Sequence, residues 1–532
     1  MKRIYLILLV LIGISTSCTK NFEDFNTDKK RPSVVPAGFL FANAQKAFAD
    51  QESNTNVNLN EFNQWSQYLT ATTYTDETNY DIINRTVAGT VFRIYYRDIL
   101  RDLKESKDLI TLELPITDKE KAVQKNKLLI VDMMEVLVYN NLVNIFGNVP
   151  YTEALDIKNL YPKYDDGLTI YKDLLTRLTT DITGLDIANG SFGADDLYMG
   201  GDVAMWKKFG NTLKVRVGIT LADVDDASAK AAIEAAYAGG FAAGENCQLV
   251  YLGAANSNNF YLDLVNSGRD DFIAANTVIN MLSNLNDPRI SKYFTAKTHT
   301  NKRNLAGKIV NDTLQGTGKV ILIYSGGPIQ ANLPFVVLAA DSLISFKYFI
   351  GGPYGESNPF GQYSHVAPAI LDPTFPAVIL DNIELEFYLA EAAARGYAVG
   401  GTAEEHYNKA ITNSILSWGG SAVDAATYLA NPQVAYATAT GTWQQKIGTQ
   451  AWLAFFLRGE VGFTSWRRLD FPILTVPSSL GGIYNDIPKR YTYPVNEQTL
   501  NPASYTAAAS AIGGDKLTTP IFWDKFQPVP GK

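Results

Sequence analysis

Two helical patterns between residues 382 and 418 constrain the fold more than any other feature of this 532-residue chain. The first is rich in alanine from 386 to 394, and the second follows Gly400 and Gly401. Small side chains let neighbouring helices approach closely, and the two glycines mark the turn between them. The second pattern has the small, aromatic, small spacing typical of the second helix of a tetratricopeptide repeat, at Ala403, Tyr407 and Ala410.

Helix pairs of the same kind are predicted at two other places. A helix from 128 to 146 is followed by a loop from 147 to 167 and by apolar residues at helical spacing up to Ile182. A third candidate pair joins 203–221 to 229–237. Together the pairs predict a mainly α fold, with an α-solenoid scaffold of tetratricopeptide-like pairs. A generic helical bundle is the alternative, and periodicity alone separates the two poorly.

Two of the predicted helices carry the clearest periodic signal. From 86 to 110, apolar residues recur mostly three or four positions apart, which predicts an amphipathic helix. From 128 to 146 the pattern is apolar almost all round, which predicts a buried helix. Buried polar groups need hydrogen-bond partners, so this helix must find partners for Asp132, Glu135, Asn140, Asn141 and Asn144.

The chain changes character between about 249 and 376. Glycine, asparagine, proline and aromatic residues replace the long helical patterns, and only 277–285 is clearly helical there. A long irregular stretch inside a compact protein is usually functional, so we expect this segment to form the ligand face. The helical scaffold is then expected at about 36–248 and 377–472, with a carboxy-terminal segment at 473–532.

The first residues have the layout of a secretory signal. Lys2 and Arg3 precede an apolar stretch from 4 to 14, which is too short for the roughly 20 residues that a membrane-spanning helix needs. Three small residues then lead to Cys18. We expect a lipoprotein signal peptide at 1–17, a lipid on Cys18 and a polar tether at 18–35.

Composition excludes several classes of protein. The net charge of -8 argues against a nucleic-acid partner, and the single other cysteine, Cys247, leaves no partner for an intramolecular disulfide. Cys247 is expected in the core, His406 on a solvated helix face, and the acids at 223, 225 and 226 at a helix end. No nucleophile elbow, complete phosphate loop or metal-ligand spacing occurs. The sequence therefore singles out no catalytic residue and no cofactor, leaves a structural metal open, and leaves a hydrolase as an alternative because any two carboxylates can meet in space.

A series of short motifs along most of the chain resembles the SusD/RagB family of outer-membrane nutrient-binding lipoproteins. The motifs are NTD at 26–28, FGNVPYTEA at 146–154, WKKFGNTLK at 206–214, NDPR at 286–289, GGPYG at 351–355, LAEAAARG at 389–396, WLAFF at 452–456, WRR at 466–468, RYTYP at 490–494 and NP at 501–502. Each motif is weak alone, but their order and coverage together are strong.

The resemblance implies a helical fold with tetratricopeptide-like pairs and no catalytic activity. It also implies a SusC-like TonB-dependent transporter as partner, with the lipoprotein as a hinged lid on the cell exterior, anchored in the outer membrane through Cys18. The usual ligand of such proteins is an oligosaccharide, and some members bind peptides. Glu23 and Asp24 are similar to the surface-export signal of these lipoproteins. The family motifs belong mostly to the scaffold and identify no binding residue.

Sugar binding needs exposed aromatic faces together with planar polar side chains. Trp65 and Tyr68, three apart on a predicted helix, are expected in the core, and Trp466, Arg467 and Arg468 are expected to be structural. Aromatic residues flanked by Thr, Asn, Gly and Pro are the better candidates. The predicted ligand-binding residues are Tyr74, Asn79, Tyr80, Tyr261, Arg269, Tyr354 and Phe360.

Overall fold

The computed structural model describes residues 35–82, 85–254, 256–302, 312–315, 319–324, 327–331, 343–477 and 486–525. The predicted signal peptide, Cys18 and nearly all of the tether lie outside these residues. The first helices are α1 (Ala37–Glu52), α2 (Phe62–Trp65), α3 (Val87–Arg93), α4 (Arg101–Thr111), α5 (Asp118–Phe146), α6 (Gly167–Gly184), α7 (Val203–Thr220), α8 (Asp226–Ala236) and α9 (Asn259–Tyr261). They are followed by α10 (Asn276–Leu285), α11 (Ile290–Tyr293), α12 (Asn382–Ala394), α13 (Ala403–Ser417), α14 (Ala422–Leu429), α15 (Trp443–Ala454), α16 (Gly459–Leu469), α17 (Val495–Leu500) and α18 (Pro502–Ala511).

The mainly helical fold is confirmed, and the predicted helix pairs are present as α5 with α6, α7 with α8 and α12 with α13. The largest boundary difference is at α5, which begins at Asp118, ten residues before the predicted start. Thr117 and Glu120 cap this end reciprocally: the Thr117 hydroxyl accepts from the Glu120 amide at 3.2 Å, and the Glu120 carboxylate accepts from the Thr117 amide at 2.8 Å. The first turns of α5 are polar, so apolar periodicity could not detect them.

The helix predicted at 86–110 is observed as a helical stretch from 87 to 111. Its two α-helical parts, α3 and α4, are joined by a π-helical segment, Ile94–Leu100. A π-helical turn changes the local period without interrupting the helix, so the sequence pattern predicts the stretch but not its inner division.

The α12–α13 pair shows why small residues were needed at the predicted positions. Ala390 and Ala410 are fully buried between the helices, and the Tyr407 hydroxyl donates to the carbonyl of Val434 at 2.7 Å. His406, predicted to be solvated, is only 4% exposed, and its Nδ1 lies 2.6 Å from the Glu386 carboxylate. That prediction is wrong because His406 lies on the face of α13 that meets α12.

Most of the strands lie between residues 246 and 381, between the two parts of the helical scaffold. They are β1 (Leu69–Ala71), β2 (Val149–Pro150), β3 (Tyr164–Asp165), β4 (Asn246–Leu249), β5 (Phe272–Ala274), β6 (Lys297–Lys302), β7 (Asp312–Gln315), β8 (Lys319–Tyr324), β9 (Gly327–Ala331), β10 (Leu343–Tyr348) and β11 (Ala377–Asp381). Within the described ranges they form small antiparallel sheets, β1–β5, β2–β3, β4–β11, β6–β10 and β7–β8–β9. The predicted helix at 277–285 is α10, and the short apolar run at 320–324 is part of β8.

Four of the five polar residues of α5 find partners, whereas Oδ1 of Asn141 has none among the described residues. Asp132 and Glu135 bind Lys107 and Arg177, at distances of 2.6 to 2.9 Å. Desolvation alone would raise the pKa of Asp132, but Arg177 and Lys107 outweigh it and lower that pKa to about 2. Asn140 donates to the Tyr171 hydroxyl at 2.8 Å. By length and composition, helix α5 could span a membrane. However, 78% of its most apolar 18-residue part is buried inside the molecule, as in a core helix.

The other core predictions are also met. Trp65, Tyr68 and Cys247 are fully buried. Arg468 pairs with Glu391 at 2.5 Å, and Arg467 donates to the carbonyls of Asn144 and Lys489. Burial lowers the pKa of Arg467 to about 10, because desolvation penalises its charge. The acidic cluster lies at a helix end as predicted, where Asp225 caps α8 by accepting from the Ser228 amide at 3.2 Å.

Candidate functional site

Three loops meet at Thr72, directly after β1. The Thr72 carbonyl accepts from the Asn358 amide at 2.9 Å and from the Ser357 hydroxyl at 2.7 Å. On the other side, the Thr72 amide donates to the Asp271 carbonyl at 2.9 Å, and its hydroxyl donates to the Asp270 carbonyl at 2.6 Å. Thr72 therefore ties loops 72–81, 266–271 and 353–365 to one corner of the molecule, beside the β1–β5 pair.

Tyr74 and Arg269 form the exposed part of this corner. Tyr74 is 69% exposed, and the Arg269 guanidinium lies 5.8 Å from the centre of its ring. Arg269 is held by Asp271 through two hydrogen bonds of 2.6 and 3.0 Å, which also pair its charge. The Tyr74 ring is thus offered to solvent beside an oriented guanidinium and carboxylate.

Phe360 and His365 form a second aromatic unit on the third loop. Their rings stack with centroids 3.8 Å apart and an interplanar angle of 14°. The His365 Nε2 donates to the Phe360 carbonyl at 2.7 Å, and desolvation lowers the pKa of His365, which favours the neutral ring. Lys297 braces the same turn by donating to the Gly361 carbonyl at 2.6 Å. We call Tyr74, Arg269, Asp271, Phe360 and His365 the aromatic platform.

Two of the predicted ligand residues are buried instead of exposed. Tyr80 is fully buried, and Tyr354 is 5% exposed with its hydroxyl donating to the Gln64 carbonyl at 2.8 Å. Their rings lie 6.3 Å apart, and Tyr80 meets Trp65 edge to face. The prediction that they are exposed is wrong because Thr, Asn, Gly and Pro neighbours indicate a loop but not the direction in which its rings point. A buried ring cannot stack on a surface ligand, so neither tyrosine belongs to the platform.

The side chains of Asn79 and Tyr261 are not part of the aromatic platform. The Asn79 amide donates to the carbonyls of Thr75 and Gly355 at 2.9 and 2.8 Å, so it braces one loop against another. Tyr261 is half-buried at the end of α9, where Asn258 caps the helix. The neighbouring Asn259 binds the carbonyl of Asp50 at 2.6 Å and so holds α9 against α1.

Sequence reasoning missed His365, Asp271 and the role of Thr72. His365 carries no motif, and its stacking depends on a turn that brings it back over Phe360. Asp271 carries no motif either, and it belongs to the site through its contact with Arg269. In the ranges that the structure describes, no group of three or more His, Cys, Asp or Glu side chains is placed to hold a metal ion.

A family described as starch-binding, associating with the outer membrane, matches residues 29–494. The chain belongs to this SusD-like family. Proteins of the SusD-like family are binding proteins and not enzymes, and this chain is one of them.

Solved structures share the fold along nearly the whole chain. A chitin-binding protein is similar with a TM-score of 0.73 at 22% identity, covering 92% of this chain and 100% of its own. A chitin-binding SusD homolog from Flavobacterium johnsoniae has a TM-score of 0.68 at 19% identity, with 92% and 98% covered. A SusD homolog from Bacteroides thetaiotaomicron has a TM-score of 0.69 at 18% identity, with 93% and 100% covered. No curated protein matches this sequence significantly.

Proposed function

We propose that this SusD-like protein is a cell-surface lipoprotein that binds an oligosaccharide at the aromatic platform and serves as the lid of a SusC-like TonB-dependent importer. The observation that carries the ligand site is the exposed Tyr74 ring beside the Arg269–Asp271 pair. The same corner carries the Phe360–His365 stack, which gives the site a second aromatic unit.

The chemistry of the platform suits a sugar. Aromatic faces pack against the apolar faces of pyranose rings, while a guanidinium and a carboxylate donate to and accept from ring hydroxyls. The two charges compensate each other within the platform, which favours a neutral ligand. A peptide, the ligand of some members of the family, would gain more from unpaired charges and from backbone groups spaced along a groove.

We expect Tyr74→Ala to weaken polysaccharide binding at least tenfold, or about 1.4 kcal/mol, because the most exposed stacking surface of the platform is removed. Affinity electrophoresis and calorimetry against a panel that includes starch and soluble chitin fragments measure the effect. Tyr161→Ala is the matched control, since Tyr161 is 65% exposed but lies on another loop. Unchanged binding in Tyr74→Ala would remove the platform from the proposal, and binding to peptides with none to the panel would replace the ligand class.

The proposed anchor makes a separate prediction. Cys18→Ala is expected to leave a folded protein that moves from the membrane fraction to the supernatant, because the lipid-bearing thiol is gone. Cys247→Ala keeps the anchor and should stay in the membrane fraction. Immunoblotting of the two fractions measures the distribution, and membrane retention of Cys18→Ala would contradict the anchor. Co-purification of the lipidated protein with an outer-membrane barrel tests the partner.

A further inference from the structure

A cavity of about 610 Å³ opens between the helical scaffold and the strand-rich part of the chain. Its walls come from the carboxy-terminal ends of α1 and α13, from the β4–β11 pair and from the corner between α15 and α16. Gly244 and Leu416 lie at its rim, where Leu416 is 44% exposed. Its volume lies in the range of about 300–1,000 Å³ that is usual for small-molecule sites. The cavity and the platform are lined by different residues.

One side of the cavity is aromatic. Phe260, Phe375, Trp418 and Phe456 follow one another along this wall, with successive ring centroids 6.3, 6.1 and 6.2 Å apart. Phe48 of α1 also lines the cavity. These rings provide apolar packing surface for a small cyclic ligand.

The cavity also has a polar wall, whose arginines are paired with acids. Arg216 donates to Glu384 at 2.7 Å, and Arg458 lies 3.3 Å from Asp381. A wall whose charges compensate each other gives a charged ligand no unpaired partner, and it offers planar donors and acceptors to a neutral ligand.

Two polar atoms of this wall lack a hydrogen-bond partner among the described residues. They are Oδ1 of Asn141, a residue only 2% exposed, and Nε of Arg458. A buried polar atom without a partner costs free energy, so an acceptor and a donor are available here to a ligand. Burial, with a smaller contribution from Glu460, raises the pKa of the neighbouring Glu52 to about 7. Its carboxyl group therefore exists near neutral pH both as a donor and as an acceptor.

We infer that this cavity is a second, internal site that holds one neutral mono- or disaccharide. The aromatic wall would pack against the sugar ring, and Glu52, Asn141 and Arg458 would bind its hydroxyls. The site goes beyond the proposed function because it takes a small sugar inside the molecule, whereas the platform takes a chain at the surface. The cavity itself indicates a neutral ligand with hydroxyl groups. That this ligand is a sugar rests on the proposed function.

Calorimetry with glucose, maltose, N-acetylglucosamine and its β-1,4 dimer tests the inference on the full chain. We expect at least one of them to bind with one-to-one stoichiometry. Ala454→Phe fills the cavity from a position that is 7% exposed, and Leu416→Trp narrows its rim from an exposed position where folding is not at risk. Each variant is expected to raise the Kd at least tenfold. Val423→Trp, on the exposed face of α14, is the matched control and should leave the Kd unchanged.

The outcomes separate the two sites. Loss of small-sugar binding in the cavity variants, with polysaccharide binding kept, supports the internal site. Small-sugar binding that survives both cavity variants but disappears in Tyr74→Ala would assign those sugars to the platform and overturn the inference. Absence of binding by all four sugars would overturn the inference as well. If only the platform proposal fails, polysaccharides do not bind while small sugars still do.

Discussion

Replacing Glu384 with glutamine should lower the free energy of unfolding by about 3–5 kcal/mol. Glu384 is fully buried and accepts hydrogen bonds from Arg216, Arg458 and the Tyr388 hydroxyl. These bonds join α12 to α7 and to the start of α16, at the centre of the helical scaffold. Glutamine keeps the size of the side chain but leaves the two buried guanidinium groups without their shared counter-charge. Urea denaturation followed by circular dichroism measures the change as a lower midpoint at unchanged slope.

The matched control is Glu404→Gln, an exposed glutamate on α13, for which we expect a change in the free energy of unfolding within about 0.5 kcal/mol.

A pH series adds a second test of the role of Glu384. Burial would raise the pKa of Glu384, but Arg216 and Arg458 outweigh it and hold that pKa below 4.5. The folded state thus binds this proton less readily than the unfolded state. The contribution of ionised Glu384 to the free energy of unfolding is therefore complete above pH 4.5, and it is lost as the pH falls through the folded-state pKa. A Glu384→Gln protein as stable as the original one would show that the arginines are held by other contacts.

Replacing Gly351 with alanine should destabilise the protein by about 2–3 kcal/mol and also weaken polysaccharide binding. An added Cβ would lie 2.4 Å from the Ala275 carbonyl oxygen and 2.5 Å from the Asn276 Cα, which are backbone atoms. Gly352 meanwhile pairs with this backbone through bonds of 2.9 Å to the Ala274 carbonyl and 2.8 Å from the Asn276 amide. The strand and the loop must separate to admit the methyl group, and that loop carries Phe360. Thermal unfolding and affinity electrophoresis measure the two effects.

Gly361→Ala is the control for this change because it lies on the same loop and its Cβ would meet nothing within 4 Å. We expect its stability to match that of the unchanged protein within about 0.5 kcal/mol. If both glycine variants bind equally well, the contact between Gly351 and α10 does not position the platform.

Much of the scaffold was predictable from the sequence. The helix pairs depend on local spacing, and Ala410 and Tyr407 occupy the buried face that their spacing indicates. The GGPYG motif was also recognised in the sequence. Its structural reason is the close approach of Gly351 to the backbone of residues 275 and 276, which the sequence does not show. His406 was misplaced because a single polar residue on a helix does not show which neighbour covers it.

The ligand region was predicted only in part. Tyr74, Arg269 and Phe360 were identified from their loop context, and the structure places them on loops that share Thr72. Tyr80 and Tyr354 have similar sequence neighbours but lie in the core. Loop composition reports backbone conformation, whereas exposure depends on which distant segment covers the ring.

The sequence by itself therefore determined the helical scaffold, its pairing, its family and an expected lipid anchor, because periodicity and short motifs act over a few neighbouring residues. Only the tertiary structure decided which aromatic side chains reach the surface, which loops meet and where a cavity remains. These features depend on contacts such as the one from Ser357 to Thr72, which joins residues 285 positions apart. No local pattern specifies such a contact, since it forms only when the packed helices bring the loops together.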